Sequence, residues 1–266
     1  MKKFKKMITS PVVTVASFAL AAGLLLFSSV GGARAALTFF SETYTSDIEM
    51  SEIGVGLVEN GSITEGKLLA NMLGEGGQLK LGKRYTEQLS VRNTGSIGQY
   101  VRVNVYKYWK EPVKEDGSEG DKTQELSPEL IKLLLQGNVL GTEDGSAALA
   151  QSGWLYDGNA STQERMVLYY NRPLAAADAE AGTPAGESSL FADQISIDGS
   201  VAAKIKQDVV KDEKGTTITT IYVYNGYEFC LDVKVDAVQE HNAADAILSA
   251  WGRSVTIDEN GYLSLN

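Results

Sequence analysis

The strongest constraint on this chain is a two-residue hydrophobic period. From Tyr100 to Trp109 (YVRVNVYKYW) it puts Val101, Val103, Val105 and Trp109 on one face and Arg102, Asn104, Tyr106 and Tyr108 on the other. That is the pattern of a half-buried strand and does not fit the 3.6-residue period of an amphipathic helix. Tyr85–Val91 (YTEQLSV) repeats it with Leu89 and Val91 inward, and the link Asn93-Thr94-Gly95-Ser96 has turn chemistry. The two segments are therefore expected to pair as an antiparallel hairpin. A second hairpin is expected where Thr216–Tyr224 and Tyr227–Val238 flank Asn225-Gly226, because both residues of that pair tolerate positive φ. In its second arm Phe229, Leu231, Val233 and Val235 alternate with Glu228, Cys230, Asp232 and Lys234. Further strands are expected at Glu164–Tyr170, Ser189–Ile197 and Gly261–Leu265, with partial alternation over Asp47–Val58.

Two helices are expected among these strands. Ser127-Pro128-Glu129 ahead of LIKLLL, with Gly137 behind, supplies a cap, a first-turn proline and a stop. Asn242 opens the other at about Ala243–Trp251, Asp245 lies in its first turn and Gly252 ends it. Ala244, Ile247, Leu248 and Trp251 form its apolar stripe. The polar stretches Glu111–Thr123 and Ala175–Gly186 read as solvent loops. Neither separates two cores, so residues 36–266 are expected to be one β-sandwich domain.

Residues 1–35 are of a different kind. Lys2, Lys3, Lys5 and Lys6 precede an apolar run from Pro11 to Val30, which ends at Gly31, Gly32 and Ala33-Arg34-Ala35. This is the layout of a secretory signal peptide, with cleavage between Ala35 and Ala36. The alternative is an uncleaved anchor, since about 20 apolar residues suffice to cross a bilayer. Without its five bases and no acid, the remaining chain carries 19 bases against 34 acids, a net charge of −15. Such a surface repels phosphate backbones and argues against nucleic acid as a partner. Cys230 is the one cysteine, so no intramolecular disulfide forms and an exported domain must rely on its core.

Catalytic constellations are absent from the sequence. His241 is the one histidine, which excludes the two-histidine zinc motif. A thiol–imidazole pair would have to join Cys230 to His241, and the plainer reading is a half-buried strand residue and an exposed polar one. Gly74-Glu75-Gly76-Gly77 does not follow a strand and open a helix as a phosphate loop must. The runs Glu115-Asp116 and Asp212-Glu213 do not make a calcium loop. No cofactor, metal or catalytic residue is assigned. Tyr100, Tyr106, Tyr108, Trp109, Tyr222, Tyr224 and Tyr227 fit a glycan-stacking platform, although strand aromatics more often serve as core or cross-strand partners.

The signal segment running into GGARAALTFFSETYTSDIEMSEIGVGL resembles those cut by the dedicated signal peptidase SipW. Leu79–Trp109 (LKLGKRYTEQLSVRNTGSIGQYVRVNVYKYW), Tyr169–Gly199 and Val235–Gly252 are similar, in the same order, to segments of the TasA/camelysin family of Gram-positive matrix and surface proteins. The resemblance implies a jelly-roll-like antiparallel sandwich, exported through a membrane-inserted precursor to the cell wall or biofilm matrix. In fibre-forming relatives the N-terminal strand of one subunit completes the sheet of the next, which is β-augmentation. The corresponding donor here is Ala36–Tyr44, with Leu37, Phe39, Phe40 and Tyr44 as its anchors; the alternative is an ordinary edge strand of its own fold. Camelysin has been classed as a metallopeptidase, an activity for which this sequence offers no residues. The long acidic insert Lys110–Thr123 departs from the fibre-formers and fits a surface role.

The sequence thus leads to an exported, non-catalytic surface or matrix protein. Its expected contacts are the signal peptidase, further copies of itself in fibres or other surface proteins, and the membrane through the signal segment alone. A monomeric wall-associated module binding glycan or protein through its strand aromatics is the second reading.

Overall fold

The alternating segments do become strands, but most of them take partners other than their neighbours in sequence. The computed structural model describes residues 52–64, 68–69, 72, 79–203, 205–212, 215–222 and 226–266. The signal segment, its cleavage residues Ala33, Ala35 and Ala36, the donor anchors Leu37, Phe39, Phe40 and Tyr44, and the Gly74–Gly77 run lie outside them.

In chain order the strands are β1 (Val55–Glu59), β2 (Ser62–Ile63), β3 (Arg84–Asn93), β4 (Gln99–Lys110), β5 (Lys122–Thr123), β6 (Ile131–Leu135), β7 (Asn138–Val139) and β8 (Trp154–Tyr156). They continue with β9 (Arg165–Tyr170), β10 (Ala192–Ile197), β11 (Ile205–Asp212), β12 (Gly215–Tyr222), β13 (Glu228–Gln239), β14 (Val255–Ile257) and β15 (Leu263–Leu265). Helix α1 spans Glu143–Gln151 and α2 spans Ala243–Trp251. One sheet has the order β2-β1-β3-β10-β6-β7 and the other β13-β4-β9-β8, with β5 beside β4; every pairing is antiparallel. The larger strands pass from sheet to sheet as the chain advances, β3 in the first, β4 in the second, β6 in the first, β9 in the second. That crossing pattern belongs to jelly-roll sandwiches. Residues Met50–Asn266 make one compact unit.

The inner faces are those the alternation predicts. Val101, Val103, Val105 and Trp109 of β4 pack with Leu89 and Val91 of β3, Ile195 and Ile197 of β10, and Ile131, Leu133 and Leu135 of β6. Trp154 anchors one flank of this core, its ring 5.3 Å from Phe191 and 5.0 Å from Tyr170, its Nε1 donating to Ser189 O at 3.0 Å. A second, smaller core covers part of the outer face of the β4 sheet, where Tyr100, Val167, Tyr169 and Val238 meet Ala243 and Ile247 of α2 and Val255 and Leu263 of β14 and β15.

Neither expected hairpin forms. β3 pairs with β1 and β10, β4 pairs with β13 and β9, and the Asn93–Ser96 link is the corner at which the chain changes sheet. β12 pairs with β11 across Asp212↔Gly215, while β13 joins β4; Gly226 still turns with φ +80°. Two-residue turns with positive φ at both positions occur instead at Asn60-Gly61, between β1 and β2, and at Gln136-Gly137, between β6 and β7. Their backbone twist matches that of the flanking strands.

The expected helix over LIKLLL is also replaced. Ser127 Oγ accepts from Glu129 N at 3.2 Å, but the cap serves one 3-10 turn, Pro128–Leu130, and Ile131–Leu135 is strand. Leu134 is buried like its neighbours on the opposite face. A strand buried on both faces reads as a continuous apolar run, which periodicity alone does not tell from a helix. The helix of this region is α1, where Thr142 Oγ1 accepts from Gly145 N and Glu143 and Asp144 occupy the first turn. α2 stands where expected and ends at Gly252, φ +66°. Asn242 at its start is left-handed and its side chain makes no capping bond. α2 buries Ala243 and Ile247, whereas Ala244 and Leu248 face solvent.

Candidate assembly edge

β13 is the longest strand at the rim of either sheet, and its geometry follows from its one partner. It pairs with β4 in an unbroken register from Glu228↔Lys110 to Gln239↔Gln99. In an antiparallel sheet the N–H and C=O of one residue point to the same side, and the side alternates along the strand. Lys107 N donates to Glu164 O, and Gln99 exchanges both backbone bonds with Leu174. Odd-numbered β4 residues therefore face the β9 side, and even-numbered ones face β13. By the register, even-numbered β13 residues bond to β4. Phe229, Leu231, Val233, Val235 and Ala237 aim their backbone groups at the outer edge, with which no strand pairs among the described residues.

The same five side chains point into the sandwich. Their β4 neighbours Val101, Val103 and Val105 are fully buried, whereas Val233, Val235 and Ala237 are only half-buried and pack against the core beside Val55 and Leu57 of β1. β1, whose Val58–Glu59 end is covered by the two-residue rim strand β2, faces β13 from the other sheet, and β13 lies against it. Among the described residues, the β1/β13 side of the sandwich thus has an apolar floor bordered by β13 backbone groups that no strand pairs. At the start of β13 a cavity of about 430 Å³ is lined by Leu68, Leu69, Met72, Phe229 and Leu231 together with the outer-face residues Tyr108, Lys110, Cys230 and Asp232. Folded proteins usually guard a long edge with proline, a bulge or an inward charge. β13 carries none of these: its charges, Glu228, Asp232, Lys234 and Asp236, alternate on the outer face.

A carboxyl pair lies on the facing sheet, Glu59 on β1 and Glu87 on β3. Glu87 shares the inner side of β3 with Tyr85 and Leu89 and is 0 % exposed. Asn60 Nδ2 donates to its Oε2 at 3.4 Å, and Leu69 N donates to Glu59 Oε1 at 2.8 Å. Burial, followed by a hydrogen bond to and the charge of Glu59, pushes the Glu87 carboxyl up to about 7.

The remaining sequence candidates do not converge. Cys230 is half-buried on the outer face opposite Tyr108, and burial raises its thiol pKa. His241 is exposed beyond the end of β13. The strand from Cys230 to Gln239 alone holds them on the order of 30 Å apart at 3.3 Å per residue. Tyr106 and Tyr108 are half-buried on the part of the outer face that α2 leaves uncovered, with Lys234 Nζ 5.6 Å from the Tyr106 ring and Lys122 Nζ 5.3 Å from the Tyr108 ring. Tyr108 Oη donates to Asp232 at 3.0 Å; burial and that bond raise its pKa. Tyr100 is buried in the second core. The open edge itself went unread in the sequence, because edge status depends on which strands arrive from elsewhere in the chain.

No family model matches this chain, and no curated protein matches it.

Proposed function

We propose that this chain is an exported, non-catalytic structural protein of a bacterial cell surface or biofilm matrix, whose copies join by strand addition. In this reading cleavage after Ala35 frees Ala36–Tyr44, which then lies along the β13 edge of a second copy. The observation that carries the reading is the β13 edge, which no strand pairs among the described residues, above a half-buried apolar floor. The lengths agree, since Ala36–Tyr44 and Phe229–Ala237 each span nine residues. The donor is rich in aromatic and β-branched residues and free of proline; Leu37 and Phe39 share one face and Phe40 and Tyr44 the other, so either face offers two large side chains to the floor while the backbone satisfies the edge. The signal pattern and the resemblance to the TasA/camelysin family point the same way. Deleting Ala36–Tyr44 from the cleaved protein is expected to abolish filaments in electron micrographs. Filaments from the deleted form, or monomers from both precursor and cleaved protein, overturn the reading.

The half-exposed rings of Tyr106 and Tyr108 favour a second reading, a monomeric wall-associated module that binds a glycan. Lysine ammonium groups already lie over both rings, which leaves less open face for a sugar. A glycan array with no hit that depends on Tyr106 removes it.

A further inference from the structure

The opposite flank of the sandwich, where β7 and β8 end the two sheets, holds a buried charge that the assembly reading does not use. By the alternation of β4, Lys107 belongs with Val105 and Trp109 on the inner face, and it is 8 % exposed. Its Nζ donates to Ile131 O at 2.9 Å, its one hydrogen bond among the described residues, where it makes no ion pair. An ammonium has three N–H donors, so two are available to whatever occupies the adjoining cavity. The charge of Glu129 acts on it from the cavity rim without forming an ion pair; burying a charge so weakly compensated is costly, and methionine would fill the same space without that cost.

The ammonium borders a cavity of about 380 Å³ lined also by Leu140, Tyr156, Thr162, Met166 and Glu129. Leu140 and Met166 give it an apolar wall. Thr162 Oγ1 accepts from Arg165 N and keeps its own proton to donate, and the Tyr156 hydroxyl has no hydrogen bond among the described residues. Two hydroxyl donors thus stand beside Lys107, while Lys132, the other cation of the lining, is paired with Asp198, on a protein that is otherwise strongly acidic. Glu129 at the rim, and Glu143 and Asp144 next to the lining residue Thr142, disfavour a dianion.

We propose that this cavity binds a small monocarboxylate of about monosaccharide size. Its carboxylate accepts from Lys107 Nζ, its body lies against Leu140 and Met166, and the Tyr156 and Thr162 hydroxyls donate to its remaining oxygens. The site is independent of the β13 edge. Burial lowers the Lys107 pKa, and a bound carboxylate would draw it back up.

Ligand-observed saturation-transfer NMR on the full chain tests this with sodium glucuronate, glucose and phosphate as probes. Saturable millimolar binding of glucuronate is expected, with none of glucose and at least tenfold weaker binding of phosphate. Lys107→Met, folded by circular dichroism, is expected to weaken glucuronate at least tenfold, and Thr162→Val severalfold. In the unmodified chain glucuronate is expected to protect Lys107 from acylation, read by mass spectrometry, where glucose does not. No saturable glucuronate binding, equal binding of glucose or phosphate, unchanged affinity in Lys107→Met, or no protection of Lys107 overturns the proposal.

Discussion

The side-chain amide of Gln99 donates to Asn93 Oδ1 at 2.6 Å, across the corner where the chain leaves one sheet for the other. Asn93 is buried there and its amide is fully used. Nδ2 donates to Ile97 O and Leu174 O, both at 2.8 Å, and Oδ1 also accepts from Gly95 N at 2.8 Å. Gln99 Nε2 donates in addition to Gly54 O. This network replaces the ladder that a hairpin would have supplied. Asn93→Ala strands several buried partners at about 1–3 kcal/mol for an unsatisfied group. A loss of roughly 3 kcal/mol in urea unfolding is expected, with a coupling of at least about 1 kcal/mol to Gln99→Ala in a double-mutant cycle.

Gly145 reverses an ordinary rule. Replacing a helical glycine by alanine usually stabilises by up to about 1 kcal/mol. A Cβ at Gly145 would stand 2.0 Å from Val139 O and 2.9 Å from Leu140 Cα, where the backbone of the preceding turn has no room to yield. Gly145→Ala is therefore expected to destabilise by about 1–3 kcal/mol, read as a lower urea midpoint at unchanged slope.

Glu87 sets a pH dependence. Its carboxyl is raised from 4.5 to about 7 by burial and by Glu59, with Asn60 opposing. The folded state therefore holds a proton that the unfolded state releases between those values. The contribution to stability is complete below about pH 4.5 and is lost as the pH rises to about 7, with a slope of at most about 1.4 kcal/mol per pH unit. Thermal midpoints are expected to fall from pH 5 to pH 7, and Glu87→Gln is expected to flatten that fall. An equal fall in the variant contradicts the assignment.

What was legible in the sequence was which side of each strand faces inward. Val101, Val103, Val105, Leu89 and Val91 are buried as the period requires, and α2 lies between the residues read for it. Pairing was not legible. Alternation specifies a face and says nothing of which strand arrives alongside, so proximity in sequence points to β3–β4 and β12–β13 while the chain joins β4 to β13. The Asn60-Gly61 turn carried the signal sought at Asn225-Gly226. The edge of β13 is non-local for the same reason, and so is the setting of Lys107, whose acceptor Ile131 O belongs to β6 of the other sheet.

The account turns on the β13 edge, and proline distinguishes its two sides. Val233 directs its N–H to the edge and Lys234 directs its N–H to β4, so Val233→Pro removes an edge donor and spares the ladder that Lys234→Pro breaks. The most direct measurement is electron microscopy of the cleaved protein beside its Val233→Pro variant, each confirmed as folded by thermal unfolding. Filaments from the first and dispersed monomers from the second are predicted. Filaments of equal yield from Val233→Pro, or none from the cleaved protein, would contradict assembly along this edge.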